Sequence, residues 1–223
     1  MRVAVVIPAL NEAESLPAVL ADIPAGCRVV VVDNGSTDDT AAVARAGGAE
    51  VVWAPRRGYG TAVLAALNHL GGDPPEVVVI LDADHADPAD RLLELVAPIA
   101  DGHADLVLSD RSRTAEPGAL TVAQRLGNQL AVGLIAAVSG RRYRDLGPFR
   151  AVSWGALTAL SMEDPTWGWN VEMQLKAVRL GLRVVELPLP YRSRARGRSK
   201  ISGSVRGVVR AGARILWAVN HYR

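Results

Sequence analysis

Asp82 and Asp84 stand one residue apart at the end of an apolar run, Val77–Leu81. Side chains two apart in extended backbone share a side, so both carboxylates are expected to project together from the strand's end. Two acids held that close repel each other unless a cation lies between them. Hard oxygen donors at a strand end suit Mg²⁺ or Mn²⁺, and such an ion can bridge the phosphates of a nucleotide. The plainer alternative is that the two acids end the strand and cap a helix starting near Pro88.

These acids need a scaffold, and the sequence describes one. Apolar runs at Val3–Ile7, Arg28–Val32, Glu50–Trp53, Val77–Leu81 and Asp105–Ser109 read as strands. Between them lie stretches with helical character, at Glu14–Ala21, from Asp38 and Asp39 onward with Ser36 or Thr37 as cap, and up to about Leu70. Strand and helix alternate, the pattern of an α/β domain whose mostly parallel sheet is covered by helices on both faces. Ligands of such sheets sit outside the carboxyl ends of the strands. That rule gathers Pro8, Asp33, Arg57, Asp82 and Asp84 around one crevice.

Several function classes are excluded. No Gly-x-Gly-x-x-Gly follows Ile7 and no Gly-rich loop ends in Lys-Ser/Thr, which argues against a dehydrogenase or an ordinary NTPase. The turn Pro8-Ala9-Leu10-Asn11-Glu12 also lacks the glycines a sugar-nucleotide pyrophosphorylase needs. Of 223 residues, 49% are hydrophobic, enough for a sizeable core, and the formal net charge is only +2. The bases nevertheless cluster from Arg141 onward, above all in 191–200, which favours a phosphate-bearing ligand or an anionic membrane surface over nucleic acid. Cys27 is the one cysteine, so no internal disulfide forms and a reducing compartment is favoured. No signal peptide or membrane-spanning run is evident, so a cytoplasmic protein is expected, at most held peripherally at the inner membrane face.

The short motifs carry more. PALNE (8–12), DNGSTDDT (33–40), RRGYG (56–60) and DAD (82–84), in this order after successive strands, resemble family 2 glycosyltransferases. DLGPFRAV (145–152), WNVEMQLKA (169–177) and RARGRSK (194–200) are most similar to the branch that makes polyprenyl-phosphate sugars, the dolichyl-phosphate mannose synthase relatives. The resemblance spans essentially the whole chain. It implies a single GT-A domain, with 1–111 as nucleotide-sugar-binding half and 112–223 as acceptor half. It implies inverting transfer of a hexose from a UDP- or GDP-linked donor to polyprenyl phosphate, assisted by Mg²⁺ or Mn²⁺ on Asp84 and Asp82. Pro8, Ala9, Glu12 and Asp33 correspond to the family's nucleoside pocket, and Arg111 to a phosphate-contacting arginine. Ser109-Asp110-Arg111 departs from the family pattern, which more often has Gly-Ser-Arg there, and Ala86 stands where the lipid-phosphate relatives often have glutamine. Asp87 or water would then complete the cation's shell.

The second half supplies the remaining candidates. Thr121–Ser139 reads as an amphipathic helix with Arg125, Asn128 and Gln129 on its polar side. Asp145–Arg150 is irregular, Trp167–Leu180 helical and Arg183–Leu187 a strand. A basic loop follows, in which Arg194, Ser199 and Lys200 are expected to meet the phosphates of donor or acceptor. Ser204–Tyr222 closes the chain as a helix, with Arg206, Arg210 and Arg214 at four-residue spacing, suited either to a membrane interface or to packing on the sheet. A hydroxyl acceptor needs a base, and Asp145 and Glu172 are the carboxylates available; a phosphate acceptor needs none. Against these roles stand a cap for Asp145 and an ion pair with Arg150 or Lys176 for Glu172. Trp167 and Trp169 suit either sugar stacking or core. Two other functions remain open: the same transfer to a soluble hydroxyl compound, and a non-catalytic nucleotide-binding or membrane-surface module. Oligomeric state carries no signal in the sequence.

Overall fold

The computed structural model describes residues 1–193 and 205–222, with the helix backbone alone at 205–211. The expected anion-binding residues Arg194, Ser199 and Lys200 lie outside the described residues. Seven strands form one sheet: β1 (Val3–Ala9), β2 (Arg28–Asp33), β3 (Glu50–Trp53), β4 (Val77–Ile80), β5 (Leu106–Asp110), β6 (Arg150–Ser153) and β7 (Val184–Pro188). Their order is β3-β2-β1-β4-β6-β5-β7. All neighbours run parallel except β6, which lies antiparallel between β4 and β5. The two halves of the chain thus share one sheet.

Strand residues alternate between two cores, as the pleat requires. One face buries Ala4, Val6, Val30, Val32, Val78 and Ile80 beneath helices α3 (Tyr59–Leu70), α5 (Val122–Ser139), α6 (Trp154–Leu160), α7 (Trp169–Arg179) and α8 (Val205–Tyr222). The other buries Val5, Ile7, Val31, Val77 and Val79 beneath α1 (Leu16–Asp22), α2 (Thr40–Ala46) and α4 (Leu92–Ala100). Each fully buried aliphatic side chain contributes about 1.5–3 kcal/mol, which makes the central strands the rigid part of the molecule.

Three local expectations change. β4 ends at Ile80 and a turn occupies 83–84, so pleat alternation does not place the two acids. Ser36 and Thr37 do not cap α2, which opens at Thr40 with no side-chain cap. Their polar groups go instead to Asn11: its N–H donates to Ser36 Oγ (3.0 Å), and its Oδ1 accepts from the Thr37 N–H (2.7 Å). Asn128 is turned inward, accepting from the Leu146 N–H (2.9 Å), while Val122, Leu126 and Leu130 stand exposed along α5. That helix begins with a reciprocal capping box between Thr121 and Gln124.

Candidate functional site

A cavity of about 410 Å³ opens at the carboxyl ends of β1, β2 and β4. Its first wall is the β1–α1 loop, with Pro8, Ala9, Leu10 and Glu12. Pro8 is tolerated in a central strand because the β1–β4 ladder has already ended at Val6 and Ile80. Asn11 takes a positive φ of 52° and zips this loop to the one after β2. Glu12 is fixed through its N–H on Thr40 Oγ1 (2.9 Å) and by the Ser15 hydroxyl on its own Oε2 (2.8 Å).

The second wall depends on Asn34, which sequence reasoning passed over. Its Oδ1 accepts from Gly58 N–H (2.8 Å), and its Nδ2 donates to the carbonyls of Ala54 (3.1 Å) and Arg56 (2.7 Å). One side chain therefore shapes the whole turn that brings Arg57 and Tyr59 to the cavity. Asp33 sits just behind: it is buried, with Oδ1 on the Ser36 N–H (2.8 Å), and it is Asn34 that lines the cavity. DNG is a turn signal, which in sequence alone hides a side chain that braces a second loop.

Asp82, Ala83 and Asp84 form the floor. Asp84 is buried and accepts from the Ala86 N–H (3.0 Å), an Asx turn that His85 continues at φ 62°. His85 is itself held to Asp22 at 2.9 Å. Behind the pair lies Asp87, 1% exposed, neither of whose oxygens makes a hydrogen bond of ordinary geometry among the described residues. Burial first, and then the negative charge of Asp82, push its pKa well above the usual carboxylate range. The Tyr59 hydroxyl beside it is raised by the same two causes. An anion-rich floor with an orphaned carboxyl fits a divalent cation. No cluster of three or more His, Cys, Asp or Glu forms a closed metal cage among the described residues. That suits an ion held by one or two carboxylates and completed by phosphate oxygens.

Two cations stand next to this floor. Arg111 leaves β5 and grips Asp145 with Nε on Oδ2 (2.7 Å) and Nη2 on Oδ1 (3.0 Å), its N–H adding a third bond (2.9 Å). Burial raises the Asp145 pKa, but the Arg111 guanidinium outweighs it and holds the carboxyl below its ordinary value. Tyr191 covers the guanidinium, 4.8 Å from ring centroid to Cζ. Arg150 is fully buried and donates to the carbonyls of Gly147 and Pro148; burial lowers its pKa to about 10.

The last wall is Thr166 and Trp167. Trp169 is fully buried core, whereas Trp167 is 37% exposed at the cavity mouth, which separates the two tryptophans. Glu172 does not reach the cavity wall. It is fully buried, accepting from the N–H groups of Glu163 (2.9 Å) and Asp164 (2.8 Å) and from Lys176 Nζ (2.6 Å). The cavity thus brings together Pro8, Ala9, Glu12, Arg57, Asp82 and Asp84 of the expected set, with Asp33, Arg111, Asp145 and Glu172 set back from it.

The chain is 44% identical to an uncharacterized glycosyltransferase of Mycobacterium tuberculosis over 93% of each chain. It is 35% identical to a dolichyl-phosphate hexose transferase of Haloferax volcanii, covering 89% of this chain and 86% of that one. Among solved structures, the glucosyl-3-phosphoglycerate synthase of M. tuberculosis, crystallised with Mn²⁺, UDP and glucosyl-3-phosphoglycerate, superposes with a TM-score of 0.77 at 27% identity. That match covers 98% of this chain and 80% of the synthase. Another crystal of that synthase holds Mg²⁺ and UDP. Residues 4–149 match the family model for glycosyl transferase family 2. The chain is a glycosyltransferase of GT-A fold and belongs to glycosyl transferase family 2.

Proposed function

We propose that this enzyme moves a hexose, with inversion, from a nucleoside diphosphate sugar, UDP- or GDP-linked, to polyprenyl phosphate. The observation that carries the donor side is the cavity in which Pro8, Ala9 and Glu12 face Arg57 across the acids Asp82 and Asp84. The nucleoside would lie along the β1–α1 loop and the diphosphate over the acids. Asp84, with Asp82, would hold Mg²⁺ or Mn²⁺. Such an ion neutralises the charge that develops on a nucleoside diphosphate leaving group. Arg57 and the turn built by Asn34 close the pocket behind the nucleotide, and Trp167 offers a flat apolar face to the sugar.

On the acceptor side, the two expected bases are both committed. Glu172 is bound to two backbone N–H groups and Lys176, and Asp145 is chelated by Arg111. Their work is then positional: Asp145 aims Arg111, and Glu172 shapes the turn before Trp167. An acceptor that is already anionic suits this arrangement, since a phosphate attacks without surrendering a proton. Relatives named for dolichyl and undecaprenyl phosphate support the choice. No described helix is long and apolar enough to cross a membrane. A lipid acceptor would be met at the bilayer surface, and the exposed Leu126 and Leu130 on α5 and Leu216 and Trp217 on α8 suit such peripheral contact. Arg194, Ser199 and Lys200 remain the proposed phosphate contacts.

A second reading keeps the donor and replaces the lipid with a soluble acceptor, and the likeness to glucosyl-3-phosphoglycerate synthase favours it. The deciding experiment incubates the protein with Mn²⁺ and radiolabelled UDP- or GDP-hexoses, offering undecaprenyl phosphate in detergent or 3-phosphoglycerate. Label entering the organic phase only with the lipid phosphate supports the first reading. Label retained in a water-soluble product supports the second.

A further inference from the structure

We propose that Arg214, on the C-terminal helix, is a positioning residue for donor binding: it holds in place the loop that carries Thr166 and Trp167 into the cavity. The inference rests on the reading of that cavity as a nucleotide-sugar pocket. Arg214 Nη2 donates to Asp164 Oδ2 at 2.7 Å, and its Nε donates to Thr166 Oγ1 at 2.9 Å. The Thr166 hydroxyl passes its one proton to Asp164 Oδ1 (2.8 Å), which leaves its lone pairs for the arginine. Asp164 is completely buried, and Arg214 is the cation paired with it there.

The loop has no slack on its other sides. Glu172 accepts from the Asp164 N–H beneath it, and Thr61 N–H donates to the Pro165 carbonyl (3.0 Å) beside it. A Cβ on Gly60 would stand 1.8 Å from the Asp164 carbonyl oxygen, and one on Gly168 would stand 2.0 Å from Asp164 Oδ2. Backbone and carboxylate are thus pressed against glycines, and the direction left to fix is the one Arg214 controls. On its outer side the guanidinium is braced by Trp217, 3.7 Å from the ring centroid. α8 follows directly on residues 194–204, which hold the proposed phosphate-binding cations. Seating of α8 and filling of the donor pocket therefore share one ion pair, and coupling of this kind is reciprocal.

The test measures binding of UDP and GDP with Mn²⁺ to the full chain by calorimetry, for wild type, R214Q, R214K, W167A and R214Q/W167A. We expect R214Q to weaken nucleotide binding about tenfold. R214K, which keeps the Asp164 pair but not the Thr166 bond, should recover only part of that loss and bind about threefold more weakly than wild type. In the W167A background R214Q should cost under about twofold, since the residue it acts through is gone. Should R214Q not fold, R214K decides, and wild-type affinity in R214K together with an unshifted donor KM overturns the proposal. Equal affinity in wild type and R214Q, or an undiminished R214Q effect in the W167A background, overturns it as well. Wild-type protein that binds no nucleoside diphosphate overturns the pocket assignment and this proposal together; the other outcomes leave that assignment standing.

Discussion

Replacing Glu172 by Gln tests whether the buried carboxylate clamps or catalyses. Glu172 Oε1 receives Glu163 N–H (2.9 Å) and Lys176 Nζ (2.6 Å), and Oε2 receives Asp164 N–H (2.8 Å). A glutamine can set its oxygen where Oε1 was and keep two partners. Its NH₂ then faces the Asp164 N–H, donor against donor, in a site with no solvent access. One charge-assisted bond is lost and one buried donor orphaned, each costing about 1–3 kcal/mol. Lys176 is only partly deprived, because the Ser161 carbonyl (2.7 Å) also accepts from it. The expected loss is about 2–6 kcal/mol, a fall in Tm of roughly 5–25 °C for a chain of this size. At 20 °C, where the variant stays folded, kcat toward polyprenyl phosphate should remain within about threefold, whereas loss of a general base would cost about 10²–10⁴. A normal Tm together with a hundredfold lower kcat would refute the clamp and turn the acceptor assignment toward a hydroxyl compound.

Three further substitutions probe the floor and wall of the cavity. Asp84→Ala should abolish the Mn²⁺-dependent part of the UDP-induced Tm increase, which for wild type at a hundredfold excess over Kd amounts to about 5–10 °C; an unchanged increase would remove Asp84 from the metal site. Asp87 binds its proton more tightly folded than unfolded, so its contribution to stability is whole below the ordinary carboxylate pKa and is lost as pH rises through the raised folded value. Asp87→Asn keeps that contribution at every pH. In metal-free buffer its unfolding free energy should therefore gain on wild type by about 1.4 kcal/mol per pH unit above roughly pH 4, and parallel urea-derived profiles would contradict this. Gly60→Ala should lower the Tm and weaken donor binding together, because its Cβ would drive back the Asp164 carbonyl; equal donor KM in variant and wild type would separate the loop from the pocket.

The central strands were legible because parallel strands buried on both faces read as unbroken apolar runs. Val3–Ile7, Arg28–Val32 and Val77–Leu81 differ from the observed strands by only one or two residues. The reversal at β6 was not legible: nothing local in RAVS sets its direction, which depends on where the chain re-enters the sheet between β4 and β5. α6 escaped for a related reason. Its cap, Ser153, is also the last residue of β6, so strand and helix meet without the turn residues that normally separate them.

For the cavity, the strand-end rule names Pro8, Asp33, Arg57, Asp82 and Asp84; all but Asp33 line one cavity, because backbone topology decides where those positions fall. What spacing could not supply is how far each carboxylate is committed elsewhere. Glu172 has Lys176 four residues on, a pairing visible in the sequence, yet the two amides that complete its shell come from a turn eight and nine residues earlier. Asp145 finds Arg111 across 34 positions. Trp167 and Trp169 are two apart, but the helix begins at the second, so one faces the cavity and the other the core. In each case residue type announces chemical capacity, and only the partners decide whether it is spent on the fold. The acids at the end of β4 line the cavity with Glu12, whereas Asp145 and Glu172 are set back and hold Arg111 and the turn at 163–164 in place.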